Sequence, residues 1–107
     1  YLNIFRTNVS GDIGELSPLI SMIDFRSYNT IIGYNTTTLP LWSSITIQIQ
    51  NCALTSTEVD NFLIDLAAAG GTNGSLLIHG TNGTRTSASD AAKATLISNG
   101  WSVTVNE

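Results

Sequence analysis

One short pattern recurs five times along the chain and constrains the fold more than any other feature. Each copy contains two apolar residues separated by one other residue, and the first members are Leu2, Ile23, Ile47, Leu76 and Val103. The spacings between these positions are 21, 24, 29 and 27 residues. Because such alternation is typical of a strand with one buried face, the chain is predicted to contain five related strands joined by connectors.

The copy within residues 45–54, ITIQIQNCAL, is the most regular. Counting Ile47 as the first place, Ile49 occupies the third, Cys52 the sixth and Leu54 the eighth. We expect all four side chains to face the interior, which makes Cys52 a packed core residue. The sixth place in other copies is held by Thr7, Tyr28 and Thr81.

The connector after the third strand carries the signals of a helix. Thr55 and Glu58 form a Thr-x-x-Glu capping box, and Gly70 and Gly71 supply a left-handed stop. Glu58 and Asp60 also suit the positive end of a helix dipole. Between these ends the apolar residues follow helical spacing at Val59, Phe62, Leu63 and Leu66.

A second helix is predicted after the fourth strand. Ser87 is the expected N-cap, Asp90 the acidic N3 residue, and Gly100 the stop. The apolar stripe between these ends is thin and consists of Ala88, Ala92 and Leu96. By contrast, the connector from about Ser27 to Trp42 is expected to be loop-like.

Strands joined through helices pair in parallel, with right-handed crossovers. The predicted fold class is therefore α/β, with about five parallel strands forming the sheet of a short solenoid. The 107 residues are expected to form one domain. Because the chain opens at Tyr1 rather than Met, inside a predicted strand, we interpret it as a processed product or a fragment of a longer chain.

The recurrence resembles the leucine-rich repeat family, whose period is 20–29 residues. The stretch VSGDIGELSPLI is similar to the plant-type connector, and Leu54-Thr55, Val59-Asp60 and GWSVTV resemble the terminal repeats of bacteriophage structural or tail-associated proteins and of bacterial surface proteins. The resemblance implies a leucine-rich-repeat solenoid with helices or irregular connectors on its convex side. It also implies a non-enzymatic recognition or structural role, and it implies that residues 1–107 are the C-terminal part of a longer chain. The family places a small polar residue at the sixth place of each copy, which we call the ladder position. Tyr28 departs from this rule.

Composition excludes several classes of function. Charged residues make up only 11% of the chain, the net charge is −4, and the four Lys and Arg residues are scattered. Because nucleic-acid binding needs clustered cations, no nucleic-acid partner is expected. No apolar run reaches membrane-spanning length. Four Asn-x-Ser/Thr sequons occur, at Asn8, Asn35, Asn73 and Asn82.

Catalytic and metal chemistry have little support in the sequence. The single cysteine, Cys52, and the single histidine, His79, lie on neighbouring predicted strands. Cys52 is expected to face inward and His79 outward, so a cysteine-dependent enzyme is the least favoured interpretation. His79 lacks a second His or Cys to complete a zinc site. No catalytic residue, metal ligand or cofactor is predicted.

The remaining candidate is the open side of the sheet. Because alternate strand residues face opposite sides, the residues between the inward ones form one continuous face suited to a protein or cell-surface glycan partner. This suggests a module of a phage virion (tail or fibre) or a bacterial surface adhesin. Further partners would be a second copy of the chain or other virion subunits. The alternative is a protein-binding scaffold in a secreted or intracellular protein. The outward set also includes Tyr1, Met22 and Asn106. The predicted binding residues are Asn3, Phe5, Asp24, Arg26, Thr46, Gln48, Gln50, Ser75, Leu77, His79, Ser102 and Thr104.

Overall fold

The computed structural model describes residues 2–3, 10–16 and 22–107. The described strands are β1 (Leu2–Asn3), β2 (Ser10–Asp12), β3 (Asp24–Arg26), β4 (Ile31–Gly33), β5 (Thr46–Gln48), β6 (Ser75–Ile78) and β7 (Ser102–Val105). The α-helices in this part of the chain are α1 (Ser56–Ala69) and α2 (Asp90–Ser98). Short 3-10 turns occupy Ile13–Leu16 and Ser87–Ser89.

The larger sheet has the strand order β1-β3-β5-β6-β7, and every neighbouring pair is parallel. Its register aligns Leu2, Phe25, Ile47, Leu76 and Val103 across the five strands. A second parallel sheet consists of β2 and β4, with Ser10 opposite Ile31. The first two connectors therefore contribute a strand each, and these strands pair with one another.

The predicted leucine-rich-repeat solenoid is wrong, because the described residues form a small α/β arrangement with two parallel sheets and two α-helices. A solenoid needs units whose connectors are equivalent and stack in one direction. Here the connector after β1 holds a strand and a 3-10 turn, the one after β3 holds a strand and an irregular segment, and the later two hold helices. The apolar recurrence located the strands of the larger sheet. It carried no information about how the connectors pair.

Strand β3, the second strand of the larger sheet, is out of the predicted register by two residues. Ile23 was expected to be its first inward residue, but this side chain is 53% exposed. Phe25 is buried opposite Ile47 instead. Beyond β3, the backbone N–H of Ser27 donates to the carbonyl of Gln48 at 2.8 Å, and Ser27 is fully buried. This copy therefore has a buried serine at the place where the copy at β5 has Ile49, a difference that the apolar pattern could not reveal.

Helix α1 has the predicted ends and the predicted buried face. Thr55 Oγ1 accepts from the Glu58 backbone N–H at 3.2 Å, and Glu58 Oε2 accepts from the Thr55 N–H at 2.8 Å. Gly70 ends the helix with φ of 81°, a left-handed conformation that suits glycine. The buried residues include the predicted Val59, Phe62, Leu63 and Leu66.

The start of the second helical region differs from the prediction. Thr86, not Ser87, is the N-cap, because Thr86 Oγ1 accepts from the Ala88 N–H at 3.2 Å. A 3-10 turn follows, and α2 begins only at Asp90. Of the predicted stripe, Leu96 is buried, Ala92 is half-buried and Ala88 is exposed. The thin apolar stripe therefore buries one large side chain rather than a continuous face.

Two buried tryptophans, Trp42 and Trp101, pack at the amino-terminal edge of the larger sheet. The Trp101 indole Nε1 donates to the Gly71 carbonyl at 2.9 Å, and both tryptophans are almost fully buried. A Cβ on Gly71 would lie 1.8 Å from the carbonyl oxygen of Trp42, and one on Gly74 would lie 2.3 Å from the Trp101 ring. The turn between α1 and β6 therefore needs glycine for space, not only for its conformation.

Candidate functional site

The candidate site is the side of the larger sheet that faces away from both helices. Along β5 and β6, Ile47, Leu76 and Ile78 are buried, while Gln48 and Leu77 between them are half-exposed. We call the outward residues of β3, β5, β6 and β7, together with Gln50 and His79, the open face. Register arranges it in two rows, Asp24, Thr46, Ser75 and Ser102, then Arg26, Gln48, Leu77 and Thr104.

The structure places ten of the twelve predicted binding residues on this face. Asn3 lies in β1 opposite Arg26, and Phe5 is outside the described residues. Of the other residues expected to face outward, Tyr1 is also outside the described residues. The prediction for Met22 is wrong, because this side chain belongs to the core with 8% exposure. Asn106 is half-buried, because its amide nitrogen donates to the carbonyls of Gly80 and Asn82, each at 2.8 Å.

The charges within the two rows cancel locally. Arg26 Nε donates to Asp24 Oδ1 at 2.8 Å, and Arg26 Nη2 donates to Asp24 Oδ2 at 3.0 Å. This two-point pairing occupies both carboxylate oxygens of Asp24. The other residues of the rows are hydroxyls, one amide and the half-exposed Leu77. The face therefore offers hydrogen bonds and one apolar contact, rather than a charge, to a partner.

The remaining described cations pair on a different surface, beside α2. Arg85 lies 2.6 Å from Asp90 Oδ1 and 2.7 Å from Glu107 Oε2, and Lys93 also pairs with Glu107. The hydrogen bond from Lys93, assisted by the charge of Arg85, holds the pKa of Glu107 below its ordinary value. These partly exposed ion pairs join α2 to the end of β7, and each described cation in them is matched by a carboxylate.

Behind the open face, Asn82 occupies the ladder position that the sequence assigned to Thr81. Asn82 is 5% exposed, whereas Thr81 is exposed. The Asn82 Oδ1 accepts from the backbone N–H groups of Cys52 and Leu54 at 3.0 and 3.1 Å. Its Nδ2 donates to the carbonyls of Ile49 and Ile78 at 2.8 and 3.2 Å. One amide therefore connects the turns that follow β5 and β6.

The neighbouring ladder position belongs to Thr30, not to Tyr28 as predicted. Thr30 Oγ1 donates to the Ser27 carbonyl at 2.8 Å and lies 3.6 Å from Cys52 Sγ. Tyr28 is only half-buried. The shift follows from the register of β3, because moving the inward residues from Ile23 to Phe25 moves every later position by two.

Cys52 and His79 are not brought together for catalysis. Cys52 is 3% exposed, and its thiol donates to the Ser27 carbonyl with an S···O distance of 2.9 Å. His79 is half-buried and continues the outward row that contains Leu77. The thiol lies in the core behind the sheet, while the imidazole belongs to the open face.

Asp60 has a structural role that the sequence did not indicate. Its carboxylate is buried and accepts three hydrogen bonds, from Thr86 N–H at 2.9 Å, Thr86 Oγ1 at 2.6 Å and Ser89 Oγ at 2.6 Å. Burial opposes ionisation, but the bonds from Ser89 and Thr86 outweigh it and hold the pKa of Asp60 below its ordinary value. Asp60 on α1 therefore holds the 3-10 turn before α2 in place through hydrogen bonds to Thr86 and Ser89.

A surface hollow of about 150 Å³ lies between α1 and the segment before β5. At its edge Asp65 Oδ2 accepts from Tyr34 Oη at 2.6 Å and from the Thr37 N–H at 3.1 Å. Burial, followed by the bond to Asp65, raises the pKa of Tyr34. These contacts hold the irregular segment on α1. The lining consists of Thr37, Thr38, Leu39, Asp65, Ala68 and Ala69.

Within residues 2–3, 10–16 and 22–107, no group of three or more His, Cys, Asp or Glu side chains is arranged to hold a metal ion. The same part of the chain contains no helix long and apolar enough to cross a membrane.

Comparison with known proteins adds no relative. No protein-family model, no curated protein and no solved structure matches the chain. The resemblance to bacteriophage structural proteins and bacterial surface proteins therefore stays a prediction from the residues that carry it. The site must be interpreted from its own geometry.

Proposed function

We propose that the chain is a non-enzymatic recognition or structural module that binds a protein or a cell-surface glycan through the open face. The favoured setting is a phage virion, associated with the tail or fibre, or a bacterial surface adhesin. The observation that carries the proposal is the composition of the two rows around Leu77. Across four adjacent strands they present hydroxyl and amide groups next to one apolar side chain, with Asp24 and Arg26 paired to each other.

This arrangement suits recognition because its groups are already held in place. Neighbouring strands of a sheet lie about 4.8 Å apart, so Thr46, Ser75 and Ser102 present three hydroxyls at regular intervals. A partner that meets them loses little additional protein entropy, since the strands are ordered before binding. The single apolar contact at Leu77 provides burial at the centre of a polar surround, the usual plan of a protein interface.

A protein-binding scaffold in a secreted or intracellular protein remains the second proposal, since the same face would serve it. A cysteine-dependent enzyme is less supported. The Cys52 thiol is buried and donates to a carbonyl, and His79 lies on the opposite side of the sheet. A nucleophilic thiol needs a base within hydrogen-bond reach.

The test compares Leu77→Asp with Ile64→Asp. Both substitutions place a carboxylate at a partly exposed apolar position, but Leu77 lies on the open face and Ile64 lies on α1, where its side chain is 38% exposed. Labelled protein is titrated against bacterial cells, extracted surface polysaccharide and solubilised surface protein. Leu77→Asp should abolish retention, and Ile64→Asp should preserve it.

Gln48→Lys provides a second variant on the face in case Leu77→Asp fails to fold, which circular dichroism would reveal. Binding that survives both face substitutions would contradict the proposal. Fractionation and imaging of the source then separate the two settings, because a virion or surface protein is found with particles or envelopes and an intracellular scaffold is not.

A further inference from the structure

Strand β7 forms one edge of the larger sheet, where β6 is its neighbour on the inner side. The Ser102 N–H donates to the Gly74 carbonyl at 3.0 Å, so the main-chain groups of Ser102 point toward β6. Because successive strand residues direct these groups to opposite sides, those of Val103 and Val105 point away from β6. They have no hydrogen-bond partner among the described residues. The edge therefore presents two donors and two acceptors.

The side chains of β7 that face the helices are less covered than those of the inner strands. Val103 continues the row that contains Ile47 and Leu76, and both of these are fully buried. Val103 itself is half-buried, as is Val105. Both valines pack against the core on one side. Their exposed surface therefore faces the place where a further strand would lie.

Helix α2 adds another apolar side chain to this edge. Lys93 on α2 pairs with Glu107, which lies just beyond β7. Ile97 follows Lys93 by one turn and shares its flank of the helix, and its side chain is 55% exposed. Ile97, Val103 and Val105 therefore lie together beside the unpaired main-chain groups, and we call these three residues the edge strip.

Strand β7 lacks the features that usually prevent pairing with another chain. Proteins block a free edge with a charge, a proline or a bulge. The sequence of β7 is SVTV, which contains neither a charge nor a proline, and its pairing with β6 is continuous over all four residues. The edge is therefore open to a strand from another molecule.

We propose that two copies of the chain associate through β7, as antiparallel neighbours related by a twofold axis. With Thr104 of one copy opposite Thr104 of the second copy, each Val103 lies opposite a Val105. Each of these two pairs exchanges two hydrogen bonds, so every outward main-chain group of Val103 and Val105 gains a partner. The valines also cover one another as cross-strand pairs. The occupant is a second copy because the edge is complementary to itself.

The charges around β7 are compatible with this pairing. Arg85, Asp90, Lys93 and Glu107 gather at the carboxyl-terminal end of the strand, whereas residues 99–102 at its amino-terminal end carry no charge. In an antiparallel pair the charged end of each copy meets the uncharged end of the other. An axis perpendicular to the sheet also keeps both open faces on the same side, so the dimer presents two of them to a partner.

Sedimentation velocity of the whole chain, measured over a range of concentrations, should show an equilibrium between monomer and dimer. Val105→Pro removes one outward N–H from each copy, and an edge strand tolerates a proline whose nitrogen faces outward. Because two of the four intermolecular hydrogen bonds are then lost, the dissociation constant of the dimer should rise at least about tenfold. Circular dichroism establishes that the variant is folded.

A second variant tests the edge strip without altering the strand. Ile97→Lys should weaken the dimer in the same way, whereas Ile64→Lys, an equivalent change at a partly exposed isoleucine on α1, should not. Leu77→Asp on the open face should also remain dimeric. Loss of the dimer and loss of partner binding are therefore measured separately.

Cysteine cross-linking tests the register. Thr104→Cys places two thiols opposite each other at the axis, where cross-strand Cβ atoms lie about 4.5–5.5 Å apart, so a disulfide needs only a small adjustment. Ser102→Cys is the matched control on the same strand and side, because its two thiols would lie about 13 Å apart along the strands. Under a mild oxidant only Thr104→Cys should give a covalent dimer, since Cys52 is buried.

A chain that stays monomeric at every concentration would overturn the proposal. So would a dimer that both Val105→Pro and Ile97→Lys leave unchanged, or cross-linking of Ser102→Cys as efficient as that of Thr104→Cys. Assemblies that grow beyond two copies would also contradict it, because they require head-to-tail contact between two different surfaces.

Discussion

Replacing Asn82 with alanine should be one of the most destabilising single changes in the described part of the chain. The Asn82 amide satisfies four main-chain groups at once, the N–H groups of Cys52 and Leu54 and the carbonyls of Ile49 and Ile78. All four lie at the carboxyl-terminal edge of the larger sheet, and the amide itself is 5% exposed. Alanine removes both halves of the amide and leaves these groups facing a cavity.

The magnitude follows from the cost of buried groups without partners. Each such group costs about 1–3 kcal/mol, so four would sum to about 4–12 kcal/mol if nothing relaxed. Water can enter a polar cavity and satisfy some of them. We therefore expect a loss of about 3–5 kcal/mol in the free energy of unfolding, against a total of about 5–15 kcal/mol for an ordinary domain.

The assay is equilibrium denaturation in urea, followed by circular dichroism. Thr81→Ala is the matched control, because Thr81 is the adjacent exposed residue, and it should change stability by less than about 0.5 kcal/mol. Asn82→Asp tests the two halves of the amide separately. It keeps an acceptor for Cys52 and Leu54 but turns a second oxygen toward the Ile49 and Ile78 carbonyls, so it should also destabilise.

An Asn82→Ala variant whose midpoint shifted no more than that of Thr81→Ala would refute the role assigned to the Asn82 amide. That role would also be refuted if Thr81→Ala were the more damaging change, since that outcome would restore the register in which Thr81 occupies the ladder position.

Two further predictions concern the core and the effect of pH. Leu54→Ala should lower the free energy of unfolding by about 2–5 kcal/mol, as for a buried leucine. Gln48→Ala on the open face should lower it by less than about 0.5 kcal/mol. If the denaturation midpoints came out in the reverse order, the inward and outward assignments of these two residues would be wrong. The depressed pKa of Asp60 stabilises the fold above the ordinary aspartate pKa of about 3.9, so this contribution should be lost as the pH falls through the lower folded-state pKa. Midpoints measured across acidic pH should therefore drop less steeply in Asp60→Asn, and an unchanged slope would count against the role of this carboxylate.

Local signals were sufficient to predict helix α1. Its capping box, its apolar face and the glycine that ends it all lie within a short stretch of sequence, and each acts over three or four residues. The same is true of the alternation in and directly after β5, where Ile47 and Ile49 are buried as predicted. Where neighbouring residues alone determine the structure, the sequence could be interpreted correctly.

Long-range choices could not be predicted in this way. Three buried polar residues, Ser27, Asp60 and Asn82, form hydrogen bonds with main-chain or side-chain groups of other elements. Nothing in the sequence around them identifies those partners. Likewise, β2 and β4 are short strands without a distinctive alternation, and they exist because they pair with each other. The error at β3 has the same origin, since Ile23 and Phe25 fit the pattern equally well until pairing with β5 selects Phe25.

By itself, the sequence determined that the chain has repeated half-buried strands, a well-defined first helix and an outward set of hydroxyl and amide residues. Those properties depend on the period of the side chains along one segment. Only the tertiary structure decided the register of β3, the second sheet, and the occupation of the ladder position by Asn82 rather than Thr81. Each of these depends on which backbone groups meet across distant segments, and a buried donor or acceptor selects its partner by position in space.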